Sequence, residues 1–153
     1  MSNSAENTMP ETSHGINNDN SNRNAPRSAP PRLLPLLQKT KDAYLLWYSY
    51  YQILPKLHRH SLGQKVDTLF VEIIEMLAIA NFLIKEEKIP YVRVAIRKTD
   101  TLKIFLMMLW ETKSLDDKKY IALSIKIDEI GKMLGGWNGQ LTKQNPPAKW
   151  GGK

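Results

Sequence analysis

The sequence contains no cysteine and no long hydrophobic run. Without cysteine, the chain has no disulfide, no thiolate metal site and no cysteine nucleophile. No apolar stretch approaches the about 20 residues that a helix needs to cross a bilayer. The asparagine-rich beginning also lacks the apolar core of a secretory signal. These absences favour a cytoplasmic protein that does not span a membrane.

Residues suited to catalysis or metal binding are also scarce. His58 and His60 are two positions apart, so a helix places them on different sides and they form no metal-binding pair. The Glu-x-x-His motifs of a di-iron bundle do not occur. Gly131, Gly135 and Gly136 lie within a helical pattern and not in a phosphate-binding loop after a strand. We therefore expect no catalytic residue, no metal site and no cofactor.

The net charge of +7 is concentrated after residue 32, because residues 1–32 carry three acidic and three basic side chains. A folded part with this bias attracts polyanions such as nucleic acid, an anionic membrane surface or an acidic partner. The planar guanidinium of arginine suits a phosphate or a carboxylate, so the preferred contacts are Arg59, Arg93 and Arg97. For each arginine, an ion pair within its own bundle is an equally good explanation.

Composition divides the chain into three parts. Residues 1–32 are rich in Asn, Ser and Pro and poor in large apolar side chains, so we expect a disordered tail. Residues 145–153 are expected to form a short flexible tail for the same reason. Residues 33–144 carry apolar side chains at steps of three and four, which predicts helices.

Four helices are predicted in this central part, with Pro55 and Pro90 interrupting the pattern. The expected ranges are 33–54, then 56 or 61 to 84, then 91–113, and a fourth helix capped by residues 114–117. Because the connections are short, the helices should form an antiparallel, up-down-up-down four-helix bundle.

The fourth predicted helix contains three glycines within six residues, Gly131, Gly135 and Gly136, followed directly by Trp137. Each glycine inside a helix costs roughly 1 kcal/mol relative to alanine. Two explanations are open at this point. The helix ends in a glycine cap before a buried aromatic side chain, or a neighbouring backbone comes close to it.

The first predicted helix carries more aromatic side chains than one core face requires. They are Tyr44, Trp47, Tyr48, Tyr50 and Tyr51. Part of this surface should be exposed in a monomer, which indicates burial against another subunit or a partner.

Several of these features combine into a recognisable series. Leu54-Pro55-Lys56, Arg59 and Ser61-Leu62-Gly63 precede the second helix, and the chain continues to Glu129-Ile130-Gly131-Lys132-Met133-Leu134-Gly135-Gly136-Trp137. Over about residues 35–141 the sequence resembles the Avd family, the accessory variability determinants of diversity-generating retroelements. Four-helix proteins encoded within intervening sequences of ribosomal RNA genes belong to the same superfamily.

The resemblance implies a ring-like homo-oligomer, a homopentamer, with a basic surface. Such a protein is non-catalytic, binds the reverse transcriptase of its element together with RNA or cDNA, and supports mutagenic cDNA synthesis. The predicted contacts with nucleic acid or with the partner are Lys56, Arg59, Lys65, Arg93 and Arg97. The predicted packing or subunit-interface residues are Trp47, Tyr51, Gly63, Gly131, Gly135, Gly136 and Trp137.

With this resemblance, the fourth helix is expected to approach a neighbour closely at Gly131 and to end near Gly135 or Gly136. Trp137 should then be anchored against the bundle or the next subunit. The alternative function is an oligomeric four-helix scaffold of the intervening-sequence type without a reverse transcriptase partner. A peripheral membrane binder is disfavoured, because aromatic and lysine side chains do not divide onto opposite faces of one helix.

Overall fold

Apolar residues at helical spacing organise the fold. The computed structural model describes residues 34–144, and the predicted tails of residues 1–32 and 145–153 lie outside this part. The elements are α1 (Pro35–Tyr51), α2 (Lys56–Arg59), α3 (Leu62–Phe82), α4 (Lys85–Glu111) and α5 (Asp117–Gln144). Residues 34–144 contain no strand, so the prediction of an all-α fold with four long helices is confirmed.

The core consists of one apolar stripe from each long helix. Helix α3 packs against α4, α4 against α5, and α1 against both α3 and α5, so the four long helices surround a common core. The largest fully buried side chains of α3, α4 and α5 include Phe70, Ile73, Leu77, Leu102, Leu106, Leu109, Leu123, Ile127 and Leu134. These positions follow the steps of three and four that predicted the helices.

Trp47 joins α1 to α3 from inside the core. Its side chain is 0% exposed, and its ring centroid lies 5.4 Å from that of Tyr51 and 6.3 Å from that of Phe70. The indole Nε1–H donates to Asp67 Oδ1 over 3.3 Å, which satisfies the polar group of the buried ring. The bundle core therefore accounts fully for one of the five aromatic residues of α1.

Gly63 lies where three segments meet at the beginning of α3. A Cβ at this position would lie 2.8 Å from Leu54 Cδ1, 3.0 Å from the His58 carbonyl oxygen and 3.0 Å from Tyr51 Cε2. These distances are shorter than ordinary carbon contacts, so only glycine lets the three segments approach this closely. We call Tyr51, Leu54, His58 and Gly63 the tight corner.

Helix α4 begins six residues earlier than predicted, at Lys85, and Pro90 lies inside it. The sequence interpretation placed an interruption at Pro90 and the start of the helix at residue 91, and this was wrong. Two acidic residues in the first turn, Glu86 and Glu87, favour a helix start at Lys85 because they complement its N-terminal dipole. Pro90 removes one backbone hydrogen bond, and the burial of the next helical turn around Val92 offsets that loss.

The connection between α4 and α5 is short and well defined. Lys113 adopts a left-handed conformation with φ 66°, and the N–H groups of Ser114 and Leu115 both donate to the Leu109 carbonyl, over 2.9 and 3.1 Å. Asp116 Oδ1 then accepts the Lys119 N–H over 2.8 Å. Asp116 is therefore the cap of α5, within the predicted segment of residues 114–117.

Helix α5 runs to Gln144, eight residues beyond Gly136, so the expected end near Gly135 or Gly136 is wrong. The apolar stripe explains the difference, because Leu141 lies two turns after Leu134 and is only 3% exposed. Burial of Leu141 extends the helix through its glycines.

The glycines of α5 lie in unequal surroundings. A Cβ at Gly131 would meet only the flexible end of the Lys103 side chain, with Nζ at 3.3 Å, and no backbone of a neighbouring helix. At Gly135, Gly136 and Gly139, a Cβ would meet no atom of the described residues 34–144 within 4 Å. We call these three glycines the open face.

Candidate nucleic-acid or partner interface

Three of the five predicted contacts lie close together around α2. Lys56 and Lys65 are exposed, and Arg59 between them is half-buried. Arg59 Nη2 donates to the Leu54 carbonyl over 2.8 Å, which ties α2 back to the end of α1. Arg59 therefore has a structural contact that the sequence did not predict, with a carbonyl and not with a carboxylate. We call Lys56, Arg59 and Lys65 the corner patch.

His58 anchors this corner to the other half of the bundle. Its Nδ1 shares a hydrogen bond with Ser114 Oγ in the connection between α4 and α5. Within residues 34–144, no three His, Asp or Glu side chains lie close enough together to hold a metal ion. The histidine thus has a packing role at this place in the structure.

The other two predicted contacts, Arg93 and Arg97, are exposed and one helical turn apart on α4. Neither side chain makes an ion pair with a residue of the described part. One carboxylate that could have neutralised them, Glu72, is instead bound by Lys98 at 2.8 Å. We call Arg93 and Arg97 the arginine patch.

The structure does not bring the two patches together. Arg97 precedes the end of α4 at Glu111 by 14 residues, a rise of about 21 Å. Arg59 lies beyond that end, because its neighbour His58 bonds to Ser114. Arg59 and Arg97 are therefore separated by roughly 20 Å along the bundle.

Most basic side chains in the described part have no acidic partner. Ion pairs join Lys39 to Glu129 at 2.6 Å and Lys103 to Asp128 at 3.2 Å, and partly exposed pairs of this kind contribute little. The exposed basic residues without an ion pair among residues 34–144 are Lys41, Lys56, Lys65, Lys85, Arg93, Arg97, Lys113, Lys118, Lys126, Lys132 and Lys143. Their positive charge is available to an anionic ligand.

The predicted packing residues divide into two groups. Trp47 and Gly63 are buried inside the subunit, Tyr51 stacks on Trp47, and Tyr51 and Trp137 are half-buried. Trp137 lies beneath Lys88, whose Nζ is 5.7 Å from the ring centroid. Within residues 34–144, a Cβ at an α5 glycine would meet no backbone atom of a neighbouring helix within 4 Å, and the place of these glycines in a subunit interface stays a prediction.

An exposed tyrosine and its neighbour add polar character to the α1 surface. Tyr48 is 48% exposed and lies beside Tyr44, with ring centroids 6.3 Å apart. Burial raises the pKa of Tyr44, and the charge of Asp67 raises it further. The Tyr44 hydroxyl therefore stays neutral and able to donate a hydrogen bond at ordinary pH.

The sequence interpretation missed a set of exposed apolar side chains on α4 and another on α5. These side chains are Ile104, Met107, Met108, Ile121 and Ile125, all exposed. Their positions fall off the buried stripes of both helices, and this signal was present in the sequence. Within residues 34–144, none of the helices has the length and apolarity needed to cross a membrane.

A family model described as bAvd-like matches residues 34–141, which is more than two-thirds of the chain. The matched range begins with α1 and extends to Leu141, three residues before the end of α5. No curated protein matches the chain.

Proposed function

The chain belongs to the bAvd-like family, and on that premise we propose that it is a non-catalytic accessory protein of a diversity-generating retroelement. In this role it binds the reverse transcriptase of the element together with template RNA or cDNA, and it supports mutagenic cDNA synthesis. The polymerase chemistry then belongs to the partner. The proposed place of action is the cytoplasm.

The observation that carries this proposal is the exposed positive charge without ion pairs on the bundle. Phosphates of a nucleic acid bind to such a surface by displacing counterions, and this term needs no particular base sequence. The arginine patch is the strongest candidate, since both guanidinium groups are exposed and make no ion pair within residues 34–144. In the corner patch, Lys56 and Lys65 are the free cations, while Arg59 is partly used by the fold.

We further propose that the bundle is antiparallel, up-down-up-down. Contacts between neighbouring helices support this order, because later positions on one helix meet earlier positions on the next. The pairs are Tyr44 with Phe70, Trp47 with Asp67, Lys103 with Asp128, and Trp110 with Tyr120. Connections as short as Leu83–Ile84 between α3 and α4 also favour it.

We also propose that the subunits assemble into a ring-like homopentamer. The exposed apolar side chains of α4 and α5 support an interface between subunits, because burying them against another copy would remove apolar surface from water. A ring repeats each weak phosphate site, so that one long nucleic acid gains affinity by contacting several subunits. Native mass spectrometry should give a multiple of the 17.6 kDa subunit mass, and a monomer would refute the ring.

The decisive experiment is co-purification with the reverse transcriptase encoded at the same locus. Wild-type protein should retain the polymerase and RNA on an affinity column. The double variant Arg93→Glu/Arg97→Glu should retain at least tenfold less polymerase, RNA or both. Its helicity by circular dichroism should be unchanged. The matched control is Lys118→Glu/Lys126→Glu, which makes the same charge change at two exposed positions of α5. Equal losses in both variants would point to net charge and not to the arginine patch.

Salt dependence tests the electrostatic part separately. Binding of structured RNA should weaken steeply between about 50 and 200 mM salt and should depend little on sequence. Affinity that hardly changes over this range would contradict binding through phosphate contacts. Wild-type protein that retains no polymerase or RNA, from a locus without a reverse transcriptase gene, would favour a scaffold of the intervening-sequence type.

A further inference from the structure

An apolar cavity of about 320 Å³ lies where α1 begins, against the last third of α5. Its walls are Leu34, Pro35, Leu36, Met133, Gly136, Trp137 and Gln140. None of the five residues predicted to contact nucleic acid lines this cavity. Its size falls at the lower end of the range of small-ligand pockets, and the proposed function gives it no occupant.

Two residues of α5 shape the cavity, Gly136 by leaving space and Trp137 by forming a wall. A Cβ at Gly136 would meet nothing within 4 Å, so the absence of a side chain leaves this wall free. A glycine inside a helix lowers stability relative to alanine, and no close contact within residues 34–144 explains its use here. Trp137 supplies an aromatic wall that is only half-buried. An apolar group inserted beside Gly136 would cover that ring.

We propose that Trp150, in the segment that follows α5, docks in this cavity. Helix α5 ends at Gln144, and six residues of extended chain reach about 20 Å. The α5 wall of the cavity, Gly136 and Gln140, lies four to eight residues back along the helix, a distance of about 6–12 Å. Trp150 of the same chain can therefore reach the cavity after one reversal of direction.

The sequence of residues 145–153 supports both a reversal of chain direction and the docking of Trp150. Pro146 and Pro147 are unsuited to continuing a helix, and a residue before proline favours extended backbone, so the sequence favours a change of direction before Trp150. Trp150 is the only aromatic or large aliphatic residue between 145 and 153. An indole combines a large apolar surface with one N–H donor. The cavity matches it with apolar walls and one polar side chain, Gln140.

Engineered disulfides test the docking directly, because the chain contains no cysteine of its own. The test pair is Gln140→Cys with Gly151→Cys in the full chain. The control pair is Gly139→Cys with Gly151→Cys, since Gly139 is nearly the same number of residues from Gly151, does not line the cavity and has room for a side chain. Under mild oxidation, the test pair should form a disulfide within one chain at least tenfold faster than the control pair. Mass spectrometry distinguishes disulfides within a chain from those between chains.

Two further variants test whether the Trp150 side chain is the group that occupies the cavity. Trp150→Ala in the test pair should slow cross-linking to the rate of the control pair, and Gly136→Leu should do the same by filling the cavity. Circular dichroism should show that both variants retain the wild-type helicity. Equal rates for the test and control pairs would overturn the proposal, as would fast cross-linking that survives Trp150→Ala. Disulfides formed mainly between chains would overturn it in favour of the segment of another copy.

Discussion

Glycine has opposite surroundings in two regions of this bundle. In the tight corner, a Cβ at Gly63 would lie within 3.0 Å of atoms from three segments of the chain. On the open face of α5, a Cβ at Gly135, Gly136 or Gly139 would meet nothing within 4 Å. The same residue type therefore permits close packing in one region and leaves a helix surface bare in the other.

The two kinds of surroundings have different consequences for the protein. Gly63 is required by packing within the bundle, and the glycines of the open face are not. Packing inside the subunit explains Gly63, because any side chain there would displace the end of α1 or the backbone at His58. Packing inside the subunit does not explain the open face, where each glycine lowers helix stability by roughly 1 kcal/mol relative to alanine. A contact of this face with something outside residues 34–144 would give these glycines a structural reason, and that contact stays a prediction.

The largest expected effect compares the two tryptophans beside these regions. Trp47→Ala should lower the free energy of unfolding by about 4 kcal/mol, because it removes a fully buried ring and leaves a cavity between α1 and α3. Trp137→Ala should cost about half as much or less, since this ring is only half-buried. Urea denaturation followed by circular dichroism measures both. Equal losses would mean that the end of α5 is as tightly packed as the core.

The next effect concerns the tight corner itself. Gly63→Ala should destabilise the protein by about 2 kcal/mol, because the Leu54 side chain can move away but the His58 carbonyl is backbone. Gly139→Ala is the matched control, as it makes the same change in a helix without a clash. Thermal unfolding of the two variants should shift in opposite directions. A neutral Gly63→Ala would show that the corner can relax without loss.

A smaller effect of opposite sign is expected on the open face. Gly135→Ala should stabilise the isolated subunit by roughly 0.5–1 kcal/mol, since alanine restricts the unfolded chain and no atom opposes its Cβ. Native mass spectrometry then shows whether the more stable variant still assembles to the same extent as the wild type. If the face contacts another subunit, the variant should fold more stably and assemble less well. Loss of stability in a dilute monomer would contradict the open geometry.

The smallest effect depends on pH. The pKa of Tyr44 is raised by burial and by Asp67, so the folded state favours the neutral phenol. This contribution is complete below the pKa of an unfolded tyrosine and is lost as pH rises through the folded value, above about pH 10. Urea midpoints from pH 8 to 11 should fall more steeply for the wild type than for Tyr44→Phe. Because phenylalanine has no ionisable group and all other residues are the same, the difference between the two curves isolates Tyr44.

The buried stripes could be predicted from the sequence, while the ends of two helices could not. Leu69, Ile73 and Leu77 are core residues as their spacing indicates. Pro90 looks locally like a helix start, but the acidic first turn before it and the buried Val92 after it carry α4 through it. The α5 glycines look like a helix end, but Leu141 is buried further on. In both places, tertiary packing outweighs a local preference of less than about 3 kcal/mol.

For the candidate site too, helix spacing could be predicted from the sequence and the contacts made at turns could not. Spacing alone places Arg93 and Arg97 on one face of α4, and both are exposed there. The contact of Arg59 with the Leu54 carbonyl could not be predicted, because it depends on how the chain turns around Pro55. Periodicity therefore identifies which residues share a helix face, and the turns between helices decide which of them remain free.

The separation of the two patches sets a minimum length for their ligand. Arg59 and Arg97 lie roughly 20 Å apart along the bundle. One strand of a duplex advances about 3.4 Å per phosphate, so about six nucleotides are needed to reach from one patch to the other. On the proposed function, a strand of about that length would be needed to occupy both patches of one subunit. Shorter oligonucleotides should then contact one patch at a time, and affinity should rise sharply once the strand passes that length.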